Sequence, residues 1–250
     1  MRKYLTLFCV LSLISVSFSS VAQDGIGILS LNKTAEGSTE LSLKLEILVI
    51  MTLISFIPAF VIMCTSFTRI IIVLSILRQA IGLQQSPPNK VLVGLAMIFS
   101  ILIMRPVWTE INTVAYQPYT NNDITLRQAL ERGEVPLRKF MLAQTQKETL
   151  DQVMVIGKEK PTDNDADIPF MILLPAFVLS ELKIAFQIGF FLYLPFIVID
   201  LVTSAILQSM GMMMLSPLIV SLPFKLLLFV LLDGWGMLMG SLANSYWVVP

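Results

Sequence analysis

The 250-residue chain has no histidine, and so lacks the usual general base, the commonest metal ligand and the side chain that titrates near neutral pH. Charge is scarce as well: 14% of residues carry it, against about 25% in an ordinary soluble domain. Formal net charge is zero, so no basic surface points to nucleic acid. There are two cysteines, Cys9 and Cys64, and the first lies in a segment expected to be removed, so no intramolecular disulfide is expected. What remains is apolar: 56% hydrophobic residues and a mean hydropathy of +0.80, the composition of a membrane or membrane-assembled protein.

Residues 1–22 read as a signal peptide. Arg2 and Lys3 form the charged start, Tyr4 to Phe18 an apolar stretch too short to span comfortably, and Ser20-Val21-Ala22 a small-residue cleavage site. An uncleaved first anchor is the alternative. Residues 23–44 are polar and rich in small residues, a loose lead-in. Residues 45–109 read as a first helical hairpin. Ile47 to Thr68 is uncharged and long enough for a hydrocarbon core of about 30 Å, though Pro58 interrupts it. Gln84 to Lys90 holds two prolines and reads as a turn. Val91 to Met104, ended by Arg105-Pro106, is a marginal second span.

Residues 110–167 form the only soluble-looking block, with ten acidic and seven basic residues. Thr125 to Gln128 has the pattern of a helix-start capping box. Apolar residues at three- and four-residue steps then predict amphipathic helix, broken in two at Gly133 and Pro136. The loop holding Arg78 and Lys90 reads as cytoplasmic by its positive charge, which puts this block in the periplasm.

Residues 168–250 read as a second hairpin whose only charges are Glu181, Lys183, Asp200, Lys225 and Asp233. Its turn carries Met210, Met212, Met213 and Met214. Unbranched thioether chains repack easily, so these four residues suit either a soft seal or a packed apolar turn. Counting outward from a turn at Met212–Met213 places Asp200 and Lys225 at one depth, about 18 Å from the tip. Unpaired charge there is costly, so the two are expected to pair, within one subunit or between subunits. The same register sets Asp233 opposite Tyr193, and Glu181 opposite Asn244. Glu181 and Lys183 point to different helix faces and are expected to bridge to other helices or subunits. Arg69 is expected to snorkel toward the cytoplasmic edge.

Several stretches carry a family resemblance. They are Thr68 to Ser75 running on to Pro87-Pro88-Asn89, Leu174 to Lys183 running on to Gly189, Asp200 to Pro217, and Leu222-Pro223-Phe224-Lys225. Across about Leu45 to Pro250 the chain resembles the FliP family of flagellar type III export gates, whose relatives serve injectisomes. The resemblance implies an all-α fold of bent and broken helical hairpins, with five copies assembled with FliQ and FliR into a helical gate. It places that gate in the flagellar basal body at the inner membrane, largely on its periplasmic side. It implies that unfolded flagellar proteins pass through the centre, that Met212, Met213 and Met214 line the closed pore, and that other export-apparatus proteins are partners. No enzymatic activity, cofactor or metal is expected.

Two rival functions fit the composition. A proton-coupled or small-solute transporter would use Glu181, Asp200 and Lys225 as a relay, but no inverted repeat of broken helices accompanies them. A membrane aspartyl protease would need Asp200 and Asp233 together, and the register separates them by about 12 Å along the axis.

Overall fold

The computed structural model describes residues 37–83, 86–159, 168–212 and 215–246. Among these the chain is helical, with no strand. In order the helices are α1 (Gly37–Met63), α2 (Phe67–Ile81), α3 (Asn89–Ile103), α4 (Arg105–Ile111), a π-helical turn (Asn112–Tyr116), α5 (Gln117–Thr120), α6 (Leu126–Gln144), α7 (Lys147–Ile156), α8 (Phe170–Ser209), α9 (Pro217–Leu231) and α10 (Gly234–Ser245). The chain divides into two compact units after Ser55, and the description below concerns the second, from Phe56 onward. The signal-peptide expectation, the linker at 161–167 and the residues Met213 and Met214 lie outside the described residues.

The backbone of this second unit is organised around α8. Its 40 residues make a rod of about 60 Å. Pro175 and Pro195 lie inside it, each removing one backbone donor, yet the helix continues because neighbouring helices pack along its length. Helix α2 packs most extensively against it. At Gly189 a side chain would overlap Ile76, so the glycine lets two apolar helices approach backbone to side chain.

Two buried clusters share α8. One gathers Ile70, Val73, Leu74 and Leu77 of α2 with Leu92 and Ala96 of α3, Ala185 and Phe196 of α8, Phe229 of α9, and Leu238, Leu242 and Tyr246 at the C-terminal end. The other joins Met141 of α6 and Leu150, Val153 and Met154 of α7 to Ile172, Leu173, Ala176 and Phe177 at the start of α8. The three- and four-residue spacing of Leu150, Val153 and Met154 puts them on one face, which is why α7 docks on α8.

The amphipathic block starts as its cap predicts. Gln128 N donates to Thr125 Oγ1 at 3.4 Å and Thr125 N donates to Gln128 Oε1 at 3.0 Å, a reciprocal capping box. The expected break at Gly133 and Pro136 does not occur. Helix α6 runs through both to Gln144, with Pro136 buried in its interior. One lost backbone hydrogen bond is offset there by packing, and the real break comes at Thr145-Gln146.

Two further expectations change. Helix α1 begins at Gly37, inside the expected lead-in. The first hairpin does not end at residue 109: the break falls at Met104, and Arg105–Thr120 continues at 55° to α3. Pro106 at the start of α4 explains that position, since proline lacks the donor a continuing helix needs but suits a helix's first turn. A similar bend of 61° separates Pro217–Leu231 from Gly234–Ser245. Among the described residues helix α8 alone is long and apolar enough to cross a membrane, and the bent pairs qualify when each is taken as one span.

Candidate functional site

Three features of the second unit hold the chemistry: a buried charge cluster at the start of α2, an ion pair near the α8–α9 turn, and the turn itself.

In the first cluster Arg69 and Glu181 are 1% and 0% exposed. The guanidinium grips the carboxylate through two nitrogens: Nε donates to Oε2 at 2.9 Å, and Nη2 donates to Oε1. The remaining donors are also satisfied. Nη1 donates to Ser245 Oγ at 2.9 Å, and Nη2 reaches Gln144 Oε1 at 3.3 Å. The Tyr246 hydroxyl donates to Glu181 Oε2 at 2.7 Å, with the Ser66 carbonyl a further 3.2 Å neighbour. Arg69 also lies 3.8 Å from the centre of the Tyr246 ring, a cation–π contact. Helices α2, α6 and α8 and the C-terminal end of α10 therefore meet at one fork.

This overturns the expectation that Arg69 snorkels. An arginine snorkels when an aqueous edge is its best partner. Here a carboxylate on α8 offers the planar, two-pronged match that guanidinium prefers. Glu181 bridges to Arg69 of α2. Lys183 turns to Glu148 of α7 at 3.6 Å, where both side chains are solvent-accessible and the pair adds little stability.

In the second cluster Lys225 Nζ lies 2.6 Å from Asp200 Oδ2 and donates to the Ala80 carbonyl at 3.1 Å. Ser221 Oγ donates to Asp200 Oδ1 at 2.6 Å. The lysine is 1% exposed and the aspartate side chain 29%, so the cation is sealed in while the anion keeps one side open. Among the described residues no buried side-chain nitrogen or oxygen lacks a hydrogen-bond partner. Such satisfaction is what makes buried charge tolerable.

The structure does not join Tyr193 and Asp233. The register that paired them assumes two straight arms, but Asp233 sits at φ 47°, ψ 52°, in the left-handed region, and turns the second arm away. Aspartate tolerates that conformation better than most residues. An Asp-Gly pair at 233–234 was the available signal for this break. Ser66, Gln144, Ser245 and Tyr246 were missed altogether. The register came within one residue of Ser245 and two of Tyr246 by setting Glu181 opposite Asn244. Nothing local marks the other two, whose partners include residues 180 and 75 positions distant.

At the turn, Met210 and Met212 are 62% and 43% exposed, and Gly211 takes φ +74°. These methionines do not pack into either buried cluster.

Exchanging the charges tests the second cluster. Asp200→Lys and Lys225→Asp should each sharply reduce the complex recovered from membranes, since each buries like charges together. The double exchange should restore only part. A carboxylate at position 225 would face the Ala80 carbonyl, which it cannot donate to. Complete absence of rescue would remove the pair as a determinant of assembly.

Long apolar helices, bends filled by proline and glycine, and internally neutralised charge define an all-α membrane protein built from bent helical hairpins. The sequence pattern of the FliP family matches residues 50–242. The flagellar biosynthetic protein FliP of Cereibacter sphaeroides is 49% identical over 211 residues, covering 84% of this chain and 70% of that protein. That of Pectobacterium carotovorum subsp. carotovorum is 46% identical over 211 residues, covering 84% and 82%. That of Bacillus subtilis (strain 168) is 44% identical over 205 residues, covering 82% and 93%. The chain belongs to the FliP family.

Proposed function

We propose that this protein is the pore-forming subunit of the flagellar type III export gate, through which unfolded flagellar proteins leave the cytoplasm. Family membership supports the flagellar role. The observation that carries the pore reading is the tip of the second hairpin. Two charge clusters fix the hairpin along its length, while Met210 and Met212 at its turn are left uncovered by the subunit's own core. Side chains so placed are free to meet their counterparts from other copies around an axis.

In this reading five copies, together with FliQ and FliR, form a helical assembly at the inner membrane of the basal body. The ring of Met210, Met212, Met213 and Met214 excludes water and ions when empty and dilates around a passing chain. The mechanism is physical and moves no bond. The assembly lies largely on the periplasmic side. A 60 Å helix is about twice the hydrocarbon thickness, and bends of 55° and 61° redirect two other segments, which suits helices embedded in one another more than in lipid. The apolar flanks of α8 and α9, with Phe190, Phe191, Leu201, Ile219, Val230 and Leu231 more than half exposed, suit burial against neighbouring copies.

The transporter alternative loses support from the geometry, since Glu181 and Lys225 are each buried in separate hydrogen-bonded clusters. Electron microscopy of the purified complex is the decisive test. Closed rings with the α8–α9 turns at the axis are expected. Turns facing the outer rim would refute the pore assignment.

A further inference from the structure

Two contacts tie α9 to the end of α2. Lys225 Nζ donates to the Ala80 carbonyl at 3.1 Å. That oxygen is one of the four that a helix leaves unpaired at its C-terminal end. The turn itself takes two of the others: Leu83 N donates to the Arg78 carbonyl at 3.2 Å and Gly82 N to the Gln79 carbonyl at 3.0 Å. A cation at this end also meets the negative pole of the helix dipole. The second contact falls two residues further on. Gly82 takes φ +90°, and Leu218 Cδ1 lies 3.7 Å from where a β-carbon would stand. Leu218 is the second residue of α9, so it follows closely on the methionine turn.

The two contacts differ in strength. Leu218, Ser221 and Lys225 fall on one face of α9, at steps of three and four residues. Ser221 and Lys225 are 0% and 1% exposed, and both hold Asp200. Leu218 is 45% exposed and makes only an apolar touch, about 10 Å of helix nearer the tip. Its seat is firm. Arg78 Nη1 donates to Asn89 Oδ1 at 2.5 Å and to the Pro87 carbonyl at 3.3 Å, bracing the α2–α3 turn from within. An arm held tightly at one point and rested lightly on a braced turn at another pivots at the first and parts at the second.

We propose that Gly82 is the stop of the gate. With Leu218 seated on it the methionine seal is closed, and the seal opens as Leu218 lifts away and α9 swings about Lys225. The inference rests on the pore reading above and names the contact that sets its closed state.

The test uses the full chain assembled with its partner proteins. In chains carrying Gly82→Cys and Leu218→Cys, mild oxidation should join the two positions within one subunit, read as loss of thiol labelling, Cys64 being buried. The oxidised complex should stay as tight to ions as wild type in lipid vesicles, and cells holding it should stop secreting flagellar proteins. Reductant should restore secretion. Leu218→Ala avoids the strain of a side chain at position 82 and removes the rest point alone. It should assemble in wild-type amounts and leak ions several-fold faster. A disulfide that leaves secretion unchanged, or no disulfide in the assembled complex, would overturn the stop and leave the pore reading standing. So would a Leu218→Ala complex that conducts like wild type. An assembled Met212–Met214 deletion as tight as wild type would remove the pore reading itself, and the stop with it.

Discussion

Glu181→Ala is expected to cost the subunit about 3–5 kcal/mol, the usual penalty for stripping one partner from a buried ion pair. The size follows from what is left behind. Arg69 is 1% exposed and would keep its full charge with no carboxylate to face. The Tyr246 hydroxyl would lose its 2.7 Å acceptor, and the C-terminal end of α10 would lose one of its anchors. Against a total stability of about 5–15 kcal/mol for a typical domain, such a loss takes a large share of the folding margin. Glu181→Gln should cost less, because its amide oxygen still accepts from Arg69. Arg69→Lys should be closer to the alanine variant, since an ammonium cannot grip both oxygens and serve Ser245 and Gln144 as well. Membrane abundance and thermal melting in detergent provide the measurements. A Glu181→Ala subunit melting within a degree of wild type would remove the cluster as the anchor of this fold.

Removing Met212–Met214 should leave the assembled complex leaking ions, by on the order of tenfold or more, since each ~1.4 kcal/mol taken from a permeation barrier is worth about tenfold in rate. Assembly should survive. Met210 and Met212 contribute to neither buried cluster, and the Asp200–Lys225 pair sits about 18 Å of helix below the tip. Replacing the three residues by serine, which keeps the turn's length, should leak as well. Conductance of the purified complex in lipid vesicles reads the effect directly. An intact complex with unchanged conductance would dismiss the methionine seal.

What the sequence revealed and concealed follows from the range of the interactions involved. The Thr125–Gln128 cap and the spacing of Leu150, Val153 and Met154 are local, and both were legible. Counting residues along two antiparallel helices sets Asp200 level with Lys225, and the structure holds their charged atoms 2.6 Å apart. The same counting fails for Tyr193 because one residue, Asp233, leaves helical geometry and bends the arm. Pro136 misled for the opposite reason: tertiary packing carried α6 through a residue that local rules treat as a break. Arg69 could not be read at all. Its partner lies 112 positions away, and a lone arginine at the end of an apolar run looks the same whether it reaches for water or for a distant glutamate.

The ion pair near the turn has one mechanical consequence. Below it, α8 is clamped by the Gly189–Ile76 approach and by the arginine fork, so that stretch behaves as a stiff beam. Among the described residues no further ion pair lies beyond Asp200 and Lys225, where Thr203 and Leu207 are the last buried side chains of α8, and Gly211 takes φ +74° at the turn. The hairpin's end is thus a short cantilever with its fulcrum at a salt bridge.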